Sequence, residues 1–233
     1  MPGYPTRTCG SACRLPSDPA GKKGTPMMDK NRMVEEILDI ELAMFLSVNS
    51  EQTSGCQDHP ESFKLHRRVQ FSVWSFDTLE SYLEDLRRAE ASGKNLMRQK
   101  YARMQGLIPQ ENTNPLIDAI VRIKIDWQEE MFRKYPALMR GARPLTDAEE
   151  DAAMTSFETY ARGELETYSD RTLERLHADM VAKRERGINV SEEVYEFLVK
   201  ESGYASLQEA ELKLGERRGE EKRGRPDPHR KRP

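Results

Sequence analysis

One helical pattern occurs twice in this chain, and the repetition restricts the fold more than any other feature. In segment 155–168 the apolar residues recur at the spacing of one helix face, with a carboxylate, Glu164, set among them. These apolar positions are Phe157, Tyr160, Ala161, Leu165 and Tyr168. Segment 61–74 carries the same pattern, with Phe63, Phe71 and Trp74 at matching positions. Because a stripe with aromatic ends and a charged middle is unusual for a core helix, we predict that this helix pair is the centre of function.

The match between the two segments extends along both halves of the chain. From 61–74 onward the matched residues are 94 positions apart, and upstream of it they are 83 apart, so the second half contains an insertion within 133–154. Matched pairs include Ile37 with Ile120, Ser75 with Ser169, Gly93 with Gly187, Asn95 with Asn189, and Tyr101 with Tyr195. Self-similarity at a fixed separation is typical of repeated helical units. We therefore predict an internal duplication.

The periodicity predicts an all-α fold. Helices are expected at 31–48, 61–74, 77–91 and 95–105, with Ser75 or Asp77 as a cap and Gly93 as a helix end, and a linker is expected at 106–114. The second half repeats this order from 115 to 202, and a short helix follows at about 205–214. Neither half alone buries its apolar stripes well, so one domain over 30–214 is expected. Residues 1–29 and the mildly basic residues 215–233 are predicted to be disordered.

The composition of the chain limits the classes of protein to which it can belong. The net charge of −3 gives no global nucleic-acid signature, and no apolar run is long enough for a membrane span. The N-terminus lacks the apolar stretch of a secretory signal, with a mitochondrial leader as the alternative, and three cysteines suit reduced cytoplasmic thiols. We see no Gly-rich phosphate loop, metal-ligand spacing or serine nucleophile motif, so no cofactor or metal is expected and the substrate is expected to arrive activated.

Polar residues inside the apolar stripes fall into register when the halves are aligned. Glu41 matches Lys124, and Gln70 matches Glu164. Packing about an approximate two-fold axis would bring these groups together in one mixed cluster. The predicted members are Glu41, Arg67, Gln70, Lys124, Tyr160 and Glu164. Such a cluster is either a buried ion network that fixes the register of the halves, or a pocket whose carboxylates bind a cationic group or act as general bases.

A second group of carboxylates lies just before segment 61–74. Asp58 can cap that helix, and Glu61 suits its positive N-terminal end. The alternative is a catalytic carboxylate pair at the mouth of a pocket. Basic residues cluster around Arg67, around Arg87 and between Arg98 and Arg103. These clusters are either exposed helix faces or a track for the phosphates of RNA.

The stretches CQDHPESF, KYARM, GARPL and TSFETYARGELETYS resemble a family of unknown function shared by bacteria and fungi, over about 31–213. That family is similar to the fungal arginine-containing cyclodipeptide synthases. The resemblance implies a transferase of secondary metabolism that takes aminoacyl groups from arginyl-tRNA and a second aminoacyl-tRNA. Its product would be a diketopiperazine containing arginine, with no role for DNA or a membrane.

The resemblance also implies roles for particular residues. The synthases have an acidic motif of two Asp followed, after two residues, by Glu, and Gln57 replaces the first Asp here. Asp58, Glu61 and Glu164 are therefore the catalytic candidates. The candidates for substrate binding are Glu41, Arg67, Gln70, Lys124, Glu158, Tyr160 and Arg162. Glu41 and Glu164 would bind the guanidinium of arginine, because a carboxylate pairs with that group through two hydrogen bonds. The alternative is a non-catalytic helical scaffold or protein-binding module with a structural ion network.

Overall fold

The computed structural model describes residues 29–48, 57–149 and 154–224, and over this part of the chain the fold is all-α. The first half contains helices α1 (Lys30–Leu46), α2 (Pro60–Ser72), α3 (Phe76–Ala91) and α4 (Leu96–Met104). The second half contains helices α5 (Leu116–Lys134), α6 (Phe157–Leu165), α7 (Asp170–Glu185) and α8 (Val190–Glu201), and helix α9 (Leu207–Gly224) follows. Two short 3₁₀ turns, Leu138–Gly141 and Asp147–Glu149, lie between α5 and α6. The predicted all-α class is confirmed.

Most predicted helix ends lie within two residues of the observed ones, and there are two larger differences. Helix α6 is shorter than segment 155–168, because Ser156 caps its start and the chain turns after Leu165. Helix α9 extends past the predicted end at 214, to Gly224. Of the segments predicted to be disordered, 1–28 and 225–233 lie outside the described residues. The prediction is wrong for Asp29, which caps α1, and for 215–224, which belong to α9.

The same cap residues begin matching helices in the two halves. Ser75 accepts a hydrogen bond from the Thr78 amide, as predicted. The matching caps are Ser169 for α7, Asn95 for α4 and Asn189 for α8. Gly93 and Gly187 end α3 and α7 at φ of +69° and +70°, a left-handed conformation that glycine adopts without strain. The prediction of Asp58 as a cap is wrong, because His59 occupies the cap position of α2 without a side-chain hydrogen bond.

Helix contacts in one half have counterparts in the other. Helix α1 packs against α2, α3 and α4, and the matching helix α5 packs against α6, α7 and α8. Between the halves, α3 packs against its own counterpart α7, while α2 contacts α8 and α4 contacts α6. This is the contact pattern of two similar units around an approximate two-fold axis. The duplication that would have produced the two units remains a prediction.

At the seam between the halves, each half caps a helix of the other. The carboxylate of Asp85 on α3 accepts hydrogen bonds from the Ser169 amide (3.0 Å) and the Thr172 hydroxyl (2.7 Å). The matching bonds join Asp179 on α7 to Ser75 (2.9 Å) and Thr78 (2.7 Å). At the start of each of these helices, an aspartate from the opposite half therefore accepts hydrogen bonds from a backbone N–H group and a hydroxyl.

Two apolar cores hold the chain together. The main core contains the predicted stripes of both halves, including Ile37, Phe45, Phe71, Ile120 and Leu165. The second core joins the end of α5 to the 3₁₀ turn that follows it and to helices α8 and α9. Its residues include Met131, Met139, Val199 and Leu207. None of the described helices is both long and apolar enough to cross a membrane.

We expect Asp85→Ala to lower the free energy of unfolding by about 1–3 kcal/mol, because a partly buried amide and a buried hydroxyl of the other half lose their acceptor. Urea denaturation measures this change. Glu84→Ala is the matched control, since its exposed ion pair with Arg171 contributes at most about 1 kcal/mol. Equal losses in the two variants would contradict the role of Asp85 at the seam.

Candidate functional site

Arg67 and Glu41 form the centre of a buried polar network. Glu41 is 0% exposed, and both of its oxygens accept hydrogen bonds from the guanidinium: Arg67 Nε lies 2.7 Å from Oε2, and Arg67 Nη2 lies 2.5 Å from Oε1. The Tyr82 hydroxyl donates a further bond to Glu41 Oε1. This two-point geometry is the strongest form of a charge-assisted pair.

Glu164, which is 5% exposed, is equally well satisfied. Its Oε1 accepts from Arg67 Nη1 (2.8 Å), Gln70 Nε2 (2.9 Å) and the Tyr168 hydroxyl (2.6 Å). Its Oε2 accepts from Lys100 Nζ at 2.7 Å. We refer to the seven residues Glu41, Arg67, Gln70, Tyr82, Lys100, Glu164 and Tyr168 as the ion network. Of the six residues predicted to converge, Arg67 directly contacts Glu41, Gln70 and Glu164, whereas Lys124 and Tyr160 lie outside these contacts.

The charges of the ion network balance, with two carboxylates against two cations. Burial alone would raise the pKa of Glu164, but Arg67, Lys100 and Lys124 together hold it well below its usual range. Burial, together with the adjacent carboxylates, raises the pKa of Tyr82 and of Tyr168 well above the usual range, so both hydroxyls remain donors. Glu164 is therefore ionised around neutral pH, and both tyrosines keep the protons that they donate to the carboxylates.

The sequence did not predict Lys100, Tyr82 or Tyr168 as members of the ion network. Lys100 lies in a charged run that suggested an exposed face, yet it is 2% exposed. The available signal was its position, four residues after the buried Leu96 on the same helix face. Lys100 reaches Glu164 because α4 and α6 approach closely at Gly163, where a Cβ atom would lie 2.8 Å from Met104 Cγ.

A cavity of about 790 Å³ lies beside the ion network. Its wall carries aromatic side chains from both halves, including Phe63, Trp74, Tyr101, Trp127, Phe157, Tyr160 and Tyr195. Its charged lining consists of four cations, Arg67, Lys124, Arg143 and Lys183, and one carboxylate, Asp179. The described wall is therefore apolar over most of its area and carries an excess of positive charge.

Lys124 is the cation in this wall that lacks a partner. It makes no hydrogen bond or ion pair with any described residue, whereas Arg67 is held by the ion network and Lys183 is paired with Glu193. Burial lowers the pKa of Lys124, Glu164 opposes this shift, and the cations Arg67 and Lys100 add to it. The cavity therefore contains an ammonium group that forms no direct ion pair with a described carboxylate, although Glu164 acts on it from a distance.

Tyr160 connects the ion network to the cavity. Lys100 Nζ lies 3.7 Å from the centroid of its ring, and the guanidinium carbon of Arg143 lies 5.0 Å from the same centroid. Arg143 is exposed and donates a hydrogen bond to the Thr155 carbonyl oxygen at 2.9 Å. One aromatic ring thus contacts a cation of the network and a second cation of the cavity wall.

The remaining predicted site residues lie outside the cavity. Asp58 and Glu61 are exposed and do not line it, although their neighbours His59 and Ser62 do. Arg162 pairs with Asp118 (2.5 Å) and more weakly with Glu158 (3.4 Å), also away from the cavity lining. The catalytic and binding roles of these residues remain predictions.

Glu164→Gln should lower the free energy of unfolding by about 3–5 kcal/mol, because it leaves Arg67 and Lys100 buried with one carboxylate fewer. Chemical denaturation near pH 7 measures the loss. Glu158→Gln, on the same helix and outside the network, is the control and should change stability by less than about 1 kcal/mol. A fully stable Glu164→Gln variant would contradict the proposed balance of charges.

Lys124→Met should raise the free energy of unfolding by about 1 kcal/mol, because methionine removes an uncompensated charge and keeps the length of the side chain. The pKa of Lys124 is lower in the folded state than in the unfolded state. The wild type should therefore approach the variant in stability as the pH rises towards about 10.4, the ordinary lysine value. Thermal denaturation over a pH series tests both expectations, and a destabilised variant at neutral pH would refute them.

Comparison with known proteins identifies the family. No curated protein matches the chain, and no solved structure matches it either. The model of the family described as protein of unknown function (DUF4125) matches residues 31–212. This match covers most of the chain, and the protein belongs to that family.

Proposed function

We propose that the protein is an aminoacyl-tRNA-dependent cyclodipeptide synthase that makes an arginine-containing cyclic dipeptide, with the cavity as its active site. The reaction is suggested by the resemblance of the sequence motifs to the fungal synthases. The structural observation that carries the proposal is the cavity itself, about 790 Å³ in volume and lined by aromatic and charged side chains. Sites for small molecules typically have volumes of about 300–1,000 Å³ and this mixture of apolar and polar walls.

In this proposal the guanidinium of the arginyl group binds to Asp179. The oxygens of Glu41 and Glu164 are occupied by cations and hydroxyls of the chain, and neither residue lines the cavity. Asp179 does line it, with Oδ2 held by Ser75 and Thr78 and with no hydrogen bond to Oδ1 from a described residue. An anchored carboxylate with a free oxygen and aromatic neighbours suits a guanidinium group.

The chemistry needs a neutral amine close to an activated ester. The α-amine of one aminoacyl ester attacks the carbonyl carbon of the other, a C–N bond forms, and the bond to the tRNA ribose oxygen breaks and that oxygen takes up the proton. The same step within the dipeptidyl ester closes the ring. An α-amino group has a pKa of about 7.7–8.0, and Lys124 in the wall disfavours its charged form. The wall of the cavity would also hold the two esters close together.

A second candidate function is a helical scaffold without catalysis. The observation that favours it is the complete satisfaction of the ion network, which joins α1, α2, α3, α4 and α6 and needs no ligand. In this interpretation the network fixes the register of the two halves, and a partner protein binds at the surface. The two candidate functions differ in the role of Asp179. In the synthase this residue binds the guanidinium group, and in the scaffold it serves only as a helix cap.

Expression of the full chain in a bacterial host, followed by mass spectrometry of extracts, should reveal a diketopiperazine that contains arginine. Asp179→Asn should reduce its yield by about 10–100-fold, because the amide retains an acceptor for Ser75 and Thr78 but loses the charge that binds guanidinium. Glu174→Gln, an exposed change on the same helix, should leave the yield unchanged.

Absence of any arginine diketopiperazine from cells that contain the folded wild-type protein would reject the synthase. Full yield from Asp179→Asn would retain the synthase and reject the proposed guanidinium site. Thermal denaturation of each variant separates loss of activity from loss of folding.

A further inference from the structure

The cavity and the ion network lie at matching places in the helical framework, and each takes residues from both halves. Residues are equivalent here when they lie 83 positions apart in α1 and α5, or 94 apart elsewhere. Four members of the ion network have equivalents that line the cavity and lie outside the network. These pairs are Glu41 with Lys124, Tyr168 with Trp74, Tyr82 with Leu176, and Lys100 with Val194. Glu164 and its equivalent Gln70 both belong to the network and are hydrogen-bonded to each other. The helix contacts follow the same correspondence, so the two regions have similar frameworks.

The two regions differ in what lies at the centre. In the ion network, the guanidinium of Arg67 extends from α2 to Glu41 on α1. The equivalent of Arg67 is Ala161 on α6, whose methyl group is too short to reach Lys124 on α5. Tyr82 is likewise replaced by the smaller, apolar Leu176. The cavity is therefore the space that these side chains fill in the opposite half.

The charge of Glu41 is also reversed at the equivalent position, which carries Lys124. Glu41 is an anion, and its partner is a cation supplied by the chain. Lys124 is a cation at the equivalent position, and no described residue supplies its partner. Lys124 is half-buried, and a charge that is partly removed from water without a direct partner is unfavourable. Charged groups in such surroundings are frequent at functional sites. The group that would complete this region is an anion from outside the chain.

The remaining wall indicates what the anion is attached to. Trp127, Tyr160, Phe157 and Tyr195 present aromatic surface to the cavity, which suits a planar or apolar body. Arg143 lies over Tyr160 and adds a second positive charge to the lining. A hydrophobic ligand without charge would leave Lys124 uncompensated, and inorganic phosphate alone would leave the aromatic surface in contact with water.

We propose that the cavity binds a small organic anion, a carboxylate or phosphate on a planar apolar body, with its charged group against Lys124 in the position equivalent to the Arg67 guanidinium. This inference does not depend on the synthase reaction, since the terminal nucleotide of a tRNA and a free aromatic acid both have this chemistry. Lys124 is thus the residue that selects for negative charge, and the aromatic wall binds the body of the ligand.

Both tryptophans of the chain, Trp74 and Trp127, line the cavity, so their fluorescence reports on its occupancy. The full-length protein is titrated with AMP and, as its uncharged analogue, adenosine; a second pair is benzoate and benzyl alcohol. We expect the anion of at least one pair to bind about tenfold or more tightly than its neutral analogue, since a hydrogen bond to a charged group contributes about 1.5–3 kcal/mol. Calorimetry provides an independent measure of the same affinities.

Lys124→Met should abolish the preference for the anion while leaving the affinity for the neutral analogue within about twofold. This variant is expected to be at least as stable as the wild type, so a loss of binding cannot be attributed to unfolding. Arg122→Gln, an exposed change of charge on the same helix, is the control and should retain the preference.

Preference for AMP alone indicates a nucleotide end, preference for benzoate alone indicates a free aromatic acid, and either result supports the site. Equal binding of charged and neutral members of both pairs, or no binding of any probe, overturns the inference. A preference that survives in Lys124→Met also overturns it. A protein that makes no cyclic dipeptide but prefers the anion would reject the synthase and retain this site.

Discussion

The pairing of Arg67 with Glu41 is the interaction on which the rest of the structure depends. Two buried ions are stable only when each is fully paired, and Arg67 meets this condition by bonding Glu41 through two atoms and Glu164 through a third. The guanidinium therefore ties α1 and α2 of the first half to α6 of the second. Tyr82 and Lys100 complete the shells of the two carboxylates and add α3 and α4 to the same cluster.

The ion network and the cavity differ in how their charges are balanced. In the ion network, side chains of both halves supply every counter-charge, and the result is a closed, neutral cluster. At the cavity, Lys124 and Ala161 stand at the sequence positions that match Glu41 and Arg67, and the result is an open compartment with an excess of positive charge. Matched positions at which the two halves carry different residues are the better indicators of function in this protein. Similar residues at matched buried positions usually reflect packing.

Local features of the sequence determine much of the fold and part of the candidate site. Periodicity and caps such as Ser75 and Asn95 predict the helices, and the alignment of the two halves predicts that Glu41, Arg67, Gln70 and Glu164 lie together. Lys100 was missed because a lysine within a charged run has the pattern of an exposed helix face. Asp58 was misassigned because Gln57 folds back to bond the Phe45 and Val48 carbonyls, which leaves His59 at the cap position. Interactions of this kind arise only in three dimensions.

Asp179, one of the two aspartates that cap a helix across the seam, also lines the cavity. Its Oδ2 atom completes the first turn of α3 in the opposite half, and the same side chain faces the cavity. A ligand that draws the Asp179 carboxylate towards itself would lengthen the hydrogen bonds from Ser75 and Thr78 to that carboxylate. A ligand that neutralises the carboxylate would weaken the same bonds. Binding of a ligand in the cavity would thereby affect a helix of the opposite half that does not line the cavity, and fraying at the start of α3 would report on that binding.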